Sequence, residues 1–204
     1  PKKWVISEVE DGGGGIIPYH YKEKNFVNAL QWLIGLEIFL LVKDPSRVFF
    51  TTDHPNGAPF TSYPHLIKLL MDKTFRDDLL DQMSTDISKH TILKDIKREY
   101  TLSEIATMTR SAPARILGLE NKGSLSEKSD ADITIYDSNI NDVEKMFAHP
   151  TNVIKDGIEV VRNGEIKNYI WGKTQVVKPE YDPSIEKKLD KYFKKFHTIG
   201  LSNY

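Results

Sequence analysis

Arg47-Val48-Phe49-Phe50-Thr51-Thr52-Asp53-His54-Pro55-Asn56-Gly57-Ala58-Pro59-Phe60-Thr61-Ser62-Tyr63-Pro64 is the stretch whose reading decides the fold. Up to Thr52 it is β-branched and aromatic without alternation, the pattern of a strand buried on both faces. It then breaks into a stiff loop carrying Pro55, Gly57, Pro59 and Pro64, residue types that punctuate rather than continue regular structure. Asp53 and His54 stand at the carboxyl end of the strand, and Pro55 biases His54 toward an extended backbone. Upstream, residues 26–42 form a long apolar run closed by Asp44-Pro45, a helix stop. Residues 4–9 before it read as a short strand. Strand, helix, strand is the order of a parallel pair joined by a covering helix, the unit of doubly wound sheets and of closed barrels, where chemistry sits at the carboxyl ends of strands.

The run 26–42 approaches the length of a short membrane span, but Asn28, Gln31, Gly35 and Glu37 interrupt it, so it is read as a helix buried on most sides. Gly12, Gly13, Gly14 and Gly15 follow Asp11 without the Gly-Lys-Ser/Thr that closes a phosphate loop, which leaves a mobile connection. Beyond Pro64 short helices continue to about Gly118. Thr101-Leu102-Ser103-Glu104 is a capping box, and Ser111-Ala112-Pro113 opens a second helix. From Gly123 the pattern changes to strand: residues 132–136 alternate, and Asp156-Gly157 and Asn163-Gly164 each separate two strand-like runs, a small antiparallel sheet. Ile185, Leu189, Tyr192, Phe193 and Phe196 recur at helical spacing among lysines, which predicts a terminal amphipathic helix.

The 204 residues hold 28 Lys+Arg against 29 Asp+Glu, with 39% hydrophobic content, enough for a packed core and too balanced for a global field toward nucleic acid or an anionic membrane. With no cysteine, this chain holds no disulfide, iron–sulfur cluster or thiolate zinc site, and any metal must rest on His and carboxylates. The chain opens at Pro1 without a signal-peptide pattern, which reads as a processed product or a cut piece. His20, His54, His65, His90, His149 and His197 show none of the i,i+2 or i,i+4 spacings that deliver two ligands from one element. Asp53 is the most informative carboxylate, read either as a catalytic group at the mouth of the sheet or as a cap on turn amides. Asp130-Ala131-Asp132 lacks the Gly and Glu of a calcium loop and reads as a strand entry. Glu37 in the apolar helix reads as paired or reaching solvent, with a functional role as the alternative. A rival from another class is a helix-turn-helix over residues 101–108 and 111–119, weakened by Pro113 and by a recognition helix offering only Arg110 and Arg115.

Residues 106–137, with Ser111-Ala112-Pro113-Ala114-Arg115-Ile116-Leu117-Gly118-Leu119, Lys122-Gly123-Ser124-Leu125 and Asp130-Ala131-Asp132, resemble the carboxyl-terminal signature of the amidohydrolase superfamily. One departure is Ser129, where the family pattern has glycine. Within the superfamily, Gln31-Trp32-Leu33-Ile34-Gly35-Leu36-Glu37, the Thr51 to Phe60 run and Tyr63-Pro64 are similar to the A-subunit family of formylmethanofuran dehydrogenases. The resemblance covers nearly the whole chain and is weakest in the last twenty or so residues.

That resemblance implies an α/β plus β architecture: the carboxyl-terminal portion of a metal-dependent (β/α) barrel over residues 1–120, a partial antiparallel β-sandwich over 121–178, and a terminal helix over 179–204. It implies a dinuclear zinc site that joins formate to the amine of methanofuran, or removes the formyl group, in methanogenesis. Asp53 maps onto the last metal-ligating aspartate, with His54 and Asn56 beside the ligands or the substrate. A carboxylate on zinc can take the proton of a bound water whose pKa the ion lowers toward about 7. The family's paired histidines, carboxylated lysine and further ligand histidines have no counterpart here, so the chain is expected to be a carboxyl-terminal portion, inactive alone. Its partners would be the other subunits of a cytoplasmic complex, which carry a molybdenum or tungsten pterin and iron–sulfur clusters, with no nucleic acid and no membrane. An incomplete barrel would leave residues 26–42 and 48–50 exposed, a surface for a homo-oligomer. The runner-up activities are another cyclic-amide hydrolase of the dihydroorotase or hydantoinase type, and a non-catalytic docking module.

Overall fold

The computed structural model describes residues 25–52, 54, 58–83, 85–175, 180–198 and 200–201. The chain divides into two compact units, the larger covering residues 19–177. Within it the helices are α1 (Phe26–Leu41), α2 (Tyr63–Met71), α3 (Lys73–Gln82), α4 (Thr85–Ser88), α5 (Leu102–Ala106), α6 (Ala112–Ile116) and α7 (Val143–Ala148). The strands are β1 (Ile133–Ile135), β2 (Asn152–Lys155), β3 (Ile158–Arg162) and β4 (Glu165–Ile166).

Helix α1 starts where the Asn25 side chain accepts from the Val27 and Asn28 amides, and it stops before the 3₁₀ turn Pro45–Arg47, which Asp44 caps. Ala29, Leu33, Leu36 and Leu40 form its buried stripe. They pack in one cluster with Ile67, Leu69 and Leu70 of α2, Leu80 of α3, and Ile105 and Met108 further on. Each fully buried Leu or Ile contributes about 1.5–3 kcal/mol by removal from water. The opposite face of α1 leaves Val27, Ile34, Ile38 and Leu41 exposed. Glu37 is structural: its carboxylate accepts from Thr91 Oγ1 at 2.6 Å and the Ile92 amide at 2.8 Å, tying α1 to the turn before Leu93. No helix among the described residues is long and apolar enough to cross a membrane.

Arg76 of α3 is 1% exposed. Its guanidinium donates to three main-chain carbonyls, Leu69 at 2.7 Å, Arg98 at 3.1 Å and Ile96 at 3.4 Å. It thus knots the end of α2 to the segment entering α5. Arg76→Met keeps the stem and strands those acceptors, so urea unfolding should show a loss of about 2–4 kcal/mol. A change under about 0.5 kcal/mol, the size of an ordinary surface substitution, would disprove that account.

Two sequence expectations are corrected by the structure. Residues 48–52 are extended but pair with no strand among the described residues, and Arg47 belongs to the 3₁₀ turn. Burial alternates rather than covering both faces, with Val48 and Phe50 half-buried, Thr52 buried, and Phe49 and Thr51 exposed. A strand exists only through its neighbours, which residue types do not supply. The preceding strand, residues 4–9, and the glycine loop lie outside the described residues, and all pairing among those described is antiparallel.

The helix-turn-helix is also absent, because α5 and α6 are joined without a turn by the π-helical segment Thr107–Ser111. Ala106, Thr107, Ser111 and Ala112 all keep right-handed helical angles, and the Ala112 amide reaches back to the Thr107 carbonyl. A π-helical segment shifts the bonding register by one residue, which lets the helix absorb Pro113, a residue without an amide donor. Thr107 and Thr109 hydroxyls donate to the Ser103 and Ile105 carbonyls at 3.0 and 2.6 Å.

The sheet is an antiparallel meander in the order β1-β2-β3-β4. Asp156 and Gly157, at φ +50° and +78°, and Asn163 and Gly164, at +51° and +76°, have the paired positive angles of tight primed turns. No strand residue is fully buried. In the second unit α8 (Glu186–Phe196) follows the 3₁₀ turn Pro183–Ile185, which Asp182 caps through the Ser184 amide at 2.9 Å. Its Tyr192, Phe193 and Phe196 gather on one side, Tyr192 and Phe196 at 4.9 Å, as the periodicity predicted.

Candidate active-site loop and carboxylate cluster

Asp53, Pro55, Asn56 and Gly57 lie outside the described residues; their neighbours do not. The Ala58 amide donates to the Thr52 carbonyl at 2.8 Å, closing the base of the loop. The Thr52 amide donates to the Tyr63 hydroxyl at 3.4 Å. Thr52 is therefore held through its main chain, while its own hydroxyl is buried without a partner among the described residues. The exposed imidazole of His54 lies nearly parallel to Phe60, with centroids 4.2 Å apart and 25° between planes. Phe60 is in turn parallel to Tyr63 at 6.5 Å, Tyr63 meets Phe50 at 5.4 Å, and Phe50 stands edge-on to Phe39 at 5.8 Å. This aromatic row runs from α1 to the loop. Beside it, Trp32, Gly35, Phe39, Phe50, Thr52 and Leu70 border a mostly apolar cleft of about 310 Å³.

The remaining histidines are dispersed. His65 Nδ1 is 3.3 Å from Glu144 Oε1, joining α2 to α7. His90 meets the Phe26 ring at 5.6 Å, His149 follows α7, and His197 follows α8. His20 lies outside the described residues.

One group of three potential metal ligands does form among the described residues, Asp130, Asp132 and Asp156, with oxygens within 4.8 Å of one another. Its interior is already taken by ammonium groups. Lys122 Nζ sits 2.7 Å from both Asp130 and Asp132. Lys155 bonds Asp132 at 2.7 Å and Asp156 at 3.3 Å, Lys173 bonds Asp156 at 3.1 Å, and the Asp156 amide donates to Asp132 at 2.9 Å. Three cations answer three anions, so the cluster is a lock between the loop after α6 and the β2–β3 turn. The described residues assemble no dinuclear metal centre, and no chemical step is derived through one. Sequence reasoning singled out Asp130 and Asp132 but missed Asp156 and the lysines, since Lys122, Lys155 and Lys173 share no local spacing.

Burial pushes the Asp132 carboxyl up, but hydrogen bonds from Lys122, Lys155 and the Asp156 amide outweigh it and hold it well below the usual carboxylate range. Hydrogen bonds to Asp130 and then Asp132 hold Lys122 above its usual value. With the folded carboxyl depressed, its stabilisation is complete above about pH 4 and is lost as pH falls through that range and below; with the lysine raised, its contribution is complete below about pH 10 and is lost above. Melting curves from about pH 8 to about pH 2 should therefore fall less steeply on the acid side for Lys122→Met than for the parent chain. Parallel acid limbs would refute the lock.

The model of the amidohydrolase family matches residues 1–166. The chain belongs to the amidohydrolase family. Among its relatives, the A subunit of the formyltransferase/hydrolase complex Fhc of Methylorubrum extorquens is 42% identical over the whole chain, and the protein FwdA of Methanocaldococcus jannaschii is 36% identical over 99% of it. Similar in structure is a chain of the crystal structure of the FhcABCD formyltransferase/hydrolase complex from Methylorubrum extorquens with methylofuran, at TM-score 0.77 and 40% identity over 91% of this amidohydrolase chain. The chain spans 37% and 38% of the two relatives' lengths and 34% of that structure's chain.

Proposed function

We propose that this amidohydrolase chain is part of a longer A-type subunit that transfers or hydrolyses the formyl group carried by the amine of a methanofuran-type cofactor. The observation that carries the reading is the 42% identity running the full length of the chain to a subunit of a formyltransferase/hydrolase complex, supported by likeness to a structure of that complex holding methylofuran. The reading rests on one-carbon chemistry rather than on a methanogenic source, because the Methylorubrum relative is bacterial. In this reading Asp53 is the carboxylate that accepts and returns the proton of the attacking nucleophile, and His54 and Asn56 border the substrate. Asp53 is also the residue of this chain proposed as a ligand to the dinuclear zinc, the other ligands coming from elsewhere in the subunit. Partner subunits of the complex would hold the pterin metal and the iron–sulfur clusters.

The test is substrate choice. The full-length subunit should release formate from a formylated methanofuran-type amine and leave dihydroorotate and hydantoin rings closed. Ring opening without formate release would replace this reading with the cyclic-amide alternative. The 204-residue chain assayed by itself should release no formate; turnover would show that its own residues complete the centre.

A further inference from the structure

Phe60 is 64% exposed although it is a large apolar side chain, and its ring is spent on a partner that no burial requires, His54. Three residues later the hydroxyl of Tyr63 accepts from the amide of Thr52. The two residues flanking position 53 are thus each held by an aromatic side chain at the start of α2. The Thr52 carbonyl is held as well, by the Ala58 amide at 2.8 Å. The His54 stack adds nothing to the core, since His54 and Phe60 are both exposed. What the arrangement fixes is the direction in which the chain enters and leaves position 53. A reacting group displaced by a fraction of an ångström loses much of the advantage of being positioned. Pro59, before the 3₁₀ turn Phe60–Ser62, and Pro64, at the first turn of α2, stiffen the base from which both rings project.

We infer that Phe60 and Tyr63 are positioning residues that clamp the two neighbours of Asp53, a role that rests on the functional reading of Asp53 above. Neither touches the substrate; both act through main chain and ring stacking. The clamp should therefore control turnover more than substrate affinity, and it should do so without changing the stability of the helical core.

The experiment has two arms. In the 204-residue chain, Tyr63→Phe should speed hydrogen exchange of the Thr52 amide by about three- to tenfold, the loss of one modest hydrogen bond, with the α1 amides unchanged. Phe60→Leu should remove the ring-current shift of the His54 imidazole protons, and Phe60→Tyr should restore it. Unchanged Thr52 exchange together with an unchanged His54 spectrum would overturn the clamp itself, whatever the enzyme does. In the full-length subunit, Tyr63→Phe combined with Phe60→Leu should lower kcat for formate release about tenfold at constant KM, with Phe60→Tyr near the parent. Parent-like kcat in the double variant, with Asp53→Asn inactive, would overturn the positioning role. Full activity of Asp53→Asn would instead sink the functional reading of Asp53 and with it the catalytic purpose of the clamp, while the exchange and imidazole signals would still report the clamp.

Discussion

In the full-length subunit, Asp53→Asn is expected to lower kcat for formate release by about 10²–10⁴-fold, the range attached to a positioned proton acceptor. Asparagine keeps the size and planarity of the side chain but accepts no proton at neutral pH. The loss should appear in kcat and in kcat/KM alike, because the missing interaction belongs to the transition state and not to substrate binding. The folded chain should be untouched, which circular dichroism and an unchanged unfolding midpoint would register. A kcat within a few fold of the parent would leave Asp53 the other reading open to it from sequence, a cap on the amides of its own turn.

Gly123→Ala should be the most damaging single methyl group in the fold. Gly123 has φ +76°, and a Cβ built there would lie 2.7 Å from the Arg110 carbonyl oxygen and 2.9 Å from the Ala114 Cβ. Both obstacles belong to the π-helical segment and α6, and neither is the far end of a flexible side chain. The segment after α6 folds back against it through the Leu119 amide on the Ala114 carbonyl at 2.8 Å, and carries Lys122 into the carboxylate lock. A left-handed backbone costs an L-residue about 1–2 kcal/mol, and overpacking a filled site about 1–3 kcal/mol more. Chemical denaturation should therefore show a loss of about 3 kcal/mol, near the sum of those two costs. Gly157→Ala is the control, since Gly157 shares the positive φ, at +78°, but has open space where the Cβ would go. It should cost only the backbone part. Equal losses at both positions would show that close approach to Arg110 is not what requires glycine.

The pairs Asp156-Gly157 and Asn163-Gly164 announce their turns because few other dipeptides accept two positive φ angles in succession. The Thr101–Glu104 capping box, the Asp44-Pro45 stop and the lysine-spaced apolar stripe of α8 are equally local, and all appear in the structure where the chain predicts them. Residues 48–52 show the opposite case. Their composition says strand, yet no ladder forms among the described residues, because pairing is a property of a neighbour and not of a residue. Pro113 reads as the opening of a second helix, whereas the helix continues by taking one π turn, a choice made by what packs around it.

For the site, sequence by itself determined which residues can do chemistry: Asp53 and His54 after an apolar run, and a family signature from Ala106 to Asp137. The family resemblance read from those residues agrees with the match over residues 1–166. Only the tertiary structure decided the rest. It brought Asp156 and three lysines to Asp130 and Asp132, converting an apparent cation cage into a neutral lock, and it set Phe60 and Tyr63 against His54 and Thr52. Likewise it placed Arg76 on three distant carbonyls and used Glu37 to cap a turn fifty-five residues away. The physical reason is the same in each case. Local backbone preferences act over a few residues and can be read along the chain, but a charge or a ring acquires its role from groups within a few ångströms, and the fold alone chooses which groups those are.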